Sequence, residues 1–182
     1  NDFYGATSSW TYENGDQRVQ LGGGVHRYEG AHFGRVIWAN NPNVSTLDGD
    51  YYTGDAIKDD ANIYAKYALT SNNLLVYADA QYRYVNHSST GGSATGPANF
   101  DRTFNFFNPK VGMTYNLGGN QVFGAYAGVG HREPNRTDLQ YAADANALQA
   151  ERMLDVEFNF RNSGEKWAFD VNAYSQQYQN QL

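Results

Sequence analysis

The sequence predicts an all-β fold: an antiparallel up-and-down transmembrane β-barrel wall of about eight strands. Three observations carry that prediction. Apolar and polar residues alternate with a period of two along most of the chain, which sorts them onto opposite faces of a sheet. Tight-turn signals recur near residues 15, 72, 118 and 163, about 45 to 57 residues apart, so each interval holds two strands and one long connection. Short turns on one edge and long loops on the other are the asymmetry of membrane barrels, whereas soluble sandwiches space their turns more closely. Finally, aromatics reach 15%, with 15 Tyr and 10 Phe, in a chain of mean hydropathy −0.69. Rings at both water–lipid boundaries explain that pairing better than a soluble core short of Leu, Ile and Val.

Residues 1–13 alternate loosely, with Tyr4, Ala6, Trp10 and Tyr12 on one side. Asn14-Gly15-Asp16 is a hairpin signal, because Asn and Gly tolerate positive φ. Over 17–29, Val19, Leu21, Gly23 and Val25 oppose Arg18, Gln20, Gly22, Gly24 and His26. A polar loop is expected from about 30 to 60, and a strand over 62–69 with Ile63, Ala65, Tyr67 and Leu69 together. After Ser71-Asn72-Asn73, Leu74, Val76, Ala78, Ala80, Tyr82 and Tyr84 face away from Tyr77, Asp79, Gln81 and Arg83. A Gly/Ser/Thr-rich loop is expected over 88–101.

The next hairpin sets Val111, Met113, Tyr115 and Leu117 against Lys110, Gly112, Thr114 and Asn116. It turns at Gly118-Gly119-Asn120 and returns with Phe123, Ala125, Ala127 and Val129. In the loop from 135 to 150, residues 142–150 suit a helical turn, since Ala and Leu favour helix. Arg152, Leu154, Val156, Phe158 and Phe160 then oppose Asp155, Glu157 and Asn159. Asn162-Ser163-Gly164 turns into a last strand that sets Trp167, Phe169, Val171 and Ala173 against Asp170, Asn172, Tyr174, Gln176 and Tyr178.

Composition narrows the function classes. No run approaches the roughly 18 apolar residues of a membrane helix. The chain opens at Asn1-Asp2-Phe3 without a signal peptide, as expected of a mature or truncated chain. Cysteine is absent, which removes disulfides and thiolate chemistry. The net charge of −6 disfavours nucleic acid as partner. His26, His32, His87 and His131 have no metal-ligand spacing, and no Ser sits in a nucleophile elbow, so neither a metal site nor an enzyme is expected.

The segment Phe107-Asn108-Pro109-Lys110-Val111-Gly112, with Tyr126-Ala127 and Arg132-Glu133-Pro134-Asn135, resembles the late barrel hairpin of TonB-dependent outer-membrane receptors. Leu148, Glu151-Arg152, Asp155 and Glu157 resemble the family's following strand, and Trp167, Asn172-Ala173-Tyr174 and Tyr178-Gln179-Asn180-Gln181-Leu182 the one after it. Phe158 departs from the pattern, where the family often has Gly. The resemblance implies a barrel of roughly 22 strands around a plug, so that 1–182 is an incomplete piece and the plug lies outside it. It further implies a multi-pass protein of a Gram-negative outer membrane, with no enzymatic activity and no cofactor. Its function would be energised, TonB-dependent uptake of a scarce nutrient such as a siderophore–iron complex, haem, cobalamin or an oligosaccharide. The partners would be outer-membrane lipid, the nutrient ligand, and TonB through regions beyond this chain.

Candidate ligand-binding residues are few. His131, Arg132 and Arg136 fall where a strand enters an outer loop, and an Arg fork suits the oxygens of an anionic ligand. The competing role for Arg132 is an ion pair with Glu133 or Glu151. Trp38, Tyr51 and Tyr52 could stack on a sugar or aromatic ligand, or pack their own loop. Asp48, Asp50, Asp55, Asp59 and Asp60 fall in the loop expected over 30–60; oxygen-rich loops can bind Ca²⁺, but a solvated acidic loop explains them as well. Gly22-Gly23-Gly24 lacks the continuation of a phosphate loop and suits a strand under close approach. Two other functions fit parts of the pattern: a complete eight-stranded barrel serving as anchor or adhesin, and a soluble carbohydrate-binding sandwich.

Overall fold

A computed structural model describes residues 1–38, 40, 49–93 and 96–182. Its strands are β1 (Asp2–Asn14), β2 (Gln17–Arg35), β3 (Asp50–Ser71), β4 (Leu74–Ser93), β5 (Gly96–Pro97), β6 (Phe100–Gly118), β7 (Gln121–Arg132), β8 (Glu151–Ser163) and β9 (Ala168–Gln179). One helix, α1 (Arg136–Tyr141), lies between β7 and β8. Eight strands form one antiparallel sheet in the order β1-β2-β3-β4-β6-β7-β8-β9, and the two-residue β5 pairs with the end of β4. Leaving aside the two-residue β5, every pairing joins sequence neighbours, which is the up-and-down arrangement the turn spacing predicts.

All four expected turns are present. Gly15 (φ 58°), Asn72 (φ 50°) and Gly118-Gly119-Asn120 (φ 85°, 57° and 64°) take the left-handed conformation that Gly and Asn adopt most cheaply. The strands are longer than expected. β2 runs on to Arg35 and β3 starts at Asp50, so most of the loop expected over 30–60 is sheet. β4 continues to Ser93 and β6 starts at Phe100, which likewise shortens the loop expected over 88–101. Polar composition suggested loops, but these segments complete their backbone hydrogen bonds against a neighbour and need no apolar face. Asp48 lies outside the described residues.

The register separates two faces. One carries Val25, Ala61 and Tyr84, then Gly23, Ile63, Tyr82 and Phe107, then Leu21, Ala65, Ala80 and Pro109, and continues with Ala127, Val156 and Ser175. The other carries Asn62 and Arg83, Tyr64 and Gln81, Lys66 and Asp79, and further on Tyr126, Glu157 and Tyr174. Between the Gln17–Leu69 and Val25–Ala61 pairs the first face is mostly apolar. Nine residues at about 3.3 Å each, tilted by about 40°, give a band of roughly 20 Å, close to an outer-membrane hydrocarbon layer. Past Val25 the same face turns polar: Arg27 Nε donates to Asp59 Oδ1 at 2.5 Å and Tyr4 Oη to Glu29 Oε1 at 2.9 Å. The strands therefore extend beyond that band on the long-loop side.

None of Val76, Ala78, Val156 and Phe158 is buried; Phe158 is 50% exposed. No second sheet covers this face among the described residues, which leaves the sandwich reading without support. β1 and β9 do not pair with each other, and both are exposed throughout. A complete eight-stranded barrel would join them, so that reading is overturned and the sheet is an open portion of wall.

Candidate functional site

The buried core lies on the polar face, under the segment from 133 to 150. β7 leaves β6 after the Lys110–Gly128 pair, and the chain beyond it crosses back over β6 and β4 as a strap. Val85, Phe104 and Phe106 pack beneath it with Ala150, while Pro134 and Leu139 are buried within it. Asn135 caps α1: its side chain accepts from the Asp138 N–H, and the Asp138 carboxylate accepts from the Asn135 N–H, each at 2.9 Å. That cap starts the helix at Arg136, before the Ala/Leu-rich stretch 142–150. The stretch itself forms only turns, because Arg102 takes the carbonyl oxygens of Ala145 and Leu148 as acceptors.

Ion pairs tie the strap to the wall. Glu133, 8% exposed, accepts from Lys58 Nζ of β3 at 2.6 Å and from Arg83 Nη1 of β4 at 3.0 Å. Arg83 Nε also reaches Asp60 Oδ2 at 2.9 Å, and Gln140 of α1 donates to Ser93 Oγ at 2.6 Å. Burial pushes the Glu133 carboxyl up, but the Lys58 hydrogen bond and the charges of Lys58 and Arg83 outweigh it, so it stays below its ordinary value.

The six candidate residues do not form one site. His131 stacks on Phe106 with centroids 5.4 Å apart, and its Nδ1 contacts Asn108 Oδ1 at 2.8 Å. Arg132 pairs with Glu151 at 3.2 Å, the competing role named above. Arg136 is turned inward, with Nε and Nη2 sealed from solvent. Tyr51 and Tyr52 meet edge to face at 5.0 Å where β3 begins, and Trp38 stands 74% exposed beyond β2.

The acidic-loop reading is overturned, because Asp50, Asp55, Asp59 and Asp60 belong to β3. Alternation sends Asp59 and Asp60 to opposite faces, where Arg27 and Arg83 hold them, while Arg35 pairs with Asp50 at 3.0 Å. Among the described residues no group of acids or histidines could hold a metal. Gly22 makes room for a neighbour: a Cβ there would lie 2.5 Å from the Tyr64 hydroxyl. The sequence reading missed Lys58, Glu133 and Arg102 as anchors. Lys58 and Glu133 are 75 residues apart, and only the sheet register brings them together.

Comparison with known proteins decides the family. A family model described as "TonB dependent receptor-like, beta-barrel" matches residues 1–182. The chain belongs to the TonB-dependent receptor β-barrel family. No curated protein matches it. Among solved structures, the FrpB iron transporter from Neisseria meningitidis (F3-3 variant) is 14% identical, with TM-score 0.69 over 96% of this chain and 28% of its own. The copper transporter OprC is 12% identical, with TM-score 0.76 over 96% of this chain and 29% of its own. The ferric-catecholate import receptor Fiu from K12 E. coli is 15% identical, with TM-score 0.66 over 96% of this chain and 30% of its own. The chain thus spans less than a third of each of these receptors' length. In a TonB-dependent barrel wall the apolar face meets lipid and the polar face lines the lumen.

Proposed function

We propose that this chain is part of the wall of an outer-membrane receptor that takes up a scarce nutrient with energy delivered through TonB. The observation that carries the proposal is the two-faced wall of this family, apolar on one side, its polar side partly covered by a strap held through ion pairs to the buried Glu133. A passive channel needs no such occupied interior; a receptor that keeps a closed lumen until it is energised does. The plug, and the segment that contacts TonB, would belong to receptor regions outside 1–182.

An iron chelate is the ligand class put forward, since the iron transporter FrpB and the ferric-catecholate receptor Fiu share this fold. Trp38 and Tyr51 offer exposed rings at the long-loop end for a first encounter, with Tyr52 half-buried against Tyr51. His131 and Arg132 would contribute only after releasing Asn108 and Glu151. The wall's own task is to keep its backbone hydrogen bonds satisfied in lipid and to hold the strap.

The test is uptake of radiolabelled ferric chelates by cells expressing the full-length receptor, with and without TonB. Accumulation that requires both supports the proposal. A receptor absent from the outer-membrane fraction, or transport unaffected by loss of TonB, overturns it.

A further inference from the structure

Beneath the strap, several polar atoms have no partner. Among the described residues, His87 Nδ1, Ser89 Oγ, and Nε and Nη2 of Arg136 are sealed from solvent and make no hydrogen bond. His87 is 6% exposed and Ser89 2%. Two residues apart on β4, they share one face. The register sets His87 between Lys58 and Arg102, and Ser89 between Ala56 and Phe100. Phe100 packs edge-on against the His87 ring at 5.0 Å, and Ala56 is 3% exposed, so the walls between the polar groups are apolar. Arg136 lies on the strap between two anchors to the wall, Glu133 held by Lys58 directly across from His87 and Gln140 held by Ser93 farther along β4, which sets it over the His87–Ser89 stretch.

Buried donors left unpaired are costly, and several in one place call for a common acceptor. Arg136 can only donate, the Ser89 hydroxyl can donate, and His87 donates in the tautomer that carries its proton on Nδ1. Charge selects the kind of acceptor. Among the described residues Lys58 and Arg83 pair with Glu133 and Asp60, Asp138 of α1 is engaged in the Asn135 cap, and neither Arg102 nor Arg136 forms an ion pair. Arg102 gives its hydrogen bonds to the backbone carbonyls of Ala145 and Leu148, which leaves its charge uncompensated. Surplus positive charge and orphaned donors flanked by apolar walls favour an anion over a water or a cation.

We infer that Arg136, His87 and Ser89 form a closed site for a small oxyanion, a carboxylate or a phosphate, whose occupant staples the strap to the wall. Arg136 belongs to the strap and the other two to β4, so an anion shared among them bridges the two. Access is from the polar face, which turns lipid headgroups away and leaves free solutes as the source. Only that access rests on the proposed lumen.

The experiment is hydrogen exchange across residues 136–148 in the full-length receptor in detergent, with inorganic phosphate or acetate against chloride at equal ionic strength. Exchange should slow about fivefold at a concentration about four times Kd. The arm that responds distinguishes phosphate from carboxylate. Arg136→Gln and the smaller change Ser89→Ala should each abolish or weaken the slowing, with a peptide from the start of β4 unchanged in every case. Equal exchange in all three salts, or undiminished slowing in Arg136→Gln, would overturn the inference. Transport is not read, so either result leaves the proposed function to its own test.

Discussion

Replacing Glu133 with Gln tests how the strap is held. The substitution keeps the shape of the side chain and removes the charge facing Lys58 Nζ at 2.6 Å and Arg83 Nη1 at 3.0 Å. Breaking a buried pair on one side costs about 3–5 kcal/mol when the remaining charge is stranded. Here the penalty is smaller, because the Lys58 side chain is 33% exposed and can rehydrate, and Arg83 keeps Asp60. A loss of about 2 kcal/mol is expected, confined to the strap. At about 1.4 kcal/mol per tenfold, that is roughly 30-fold faster exchange over residues 134–150. Hydrogen exchange with mass spectrometry on the full-length receptor reads this directly, with the hairpin joining β3 and β4 as internal reference. Acceleration below about threefold, or equal acceleration in the reference hairpin, would refute the assignment of Glu133 as the strap's anchor.

Other outcomes follow from the same geometry. Because Glu133 titrates below its ordinary value of 4.5, its stabilisation is fully present above that pH and is lost as pH falls through the lower folded value. Burial holds His87, sealed beneath the strap, down to about 4, so strap protection should be flat only above its ordinary value of 6.5 and decline below that in both proteins, while the further loss below 4.5 should vanish in Glu133→Gln. In Gly112→Ala the new Cβ would lie 2.6 Å from the Tyr77 ring, so a cost of about 1–3 kcal/mol is expected in urea unfolding followed by heat-modifiable gel mobility. Val156→Arg places a charge on the lipid face and should cost about 2–4 kcal/mol in the same assay, while Asn159→Arg on the polar face should be nearly neutral. Since the chain has no cysteine, single Cys variants at Val76 and Phe158 should resist a membrane-impermeant maleimide in intact outer membranes. Labelling there as fast as at Tyr51→Cys would contradict the face assignment.

Much of the wall was legible in the sequence, because strand alternation and turn chemistry are local. Val76, Ala78 and Tyr82 share a face by parity alone, and Asn72 or Gly118-Gly119 announces its turn by tolerating positive φ. That information determined the strand number of the path, its up-and-down order and which residues share the apolar face. Strand ends were misread at 30–60 and 88–101, because polar residues in an extended β-strand beyond the membrane have the composition of a loop.

The site belongs to tertiary structure. Lys58 meets Glu133, and Arg102 meets Ala145 and Leu148, because β7 leaves β6 at Gly128 and the chain returns over the polar face. Nothing local marks such a return. The helix started at the Asn135 cap and not in the Ala-rich stretch, since Arg102, far away in sequence, had claimed that stretch's carbonyls. The sequence by itself determined a two-faced wall; its folding in space decided which charges on the wet face are spent on one another and which, like Arg136, are left without a partner.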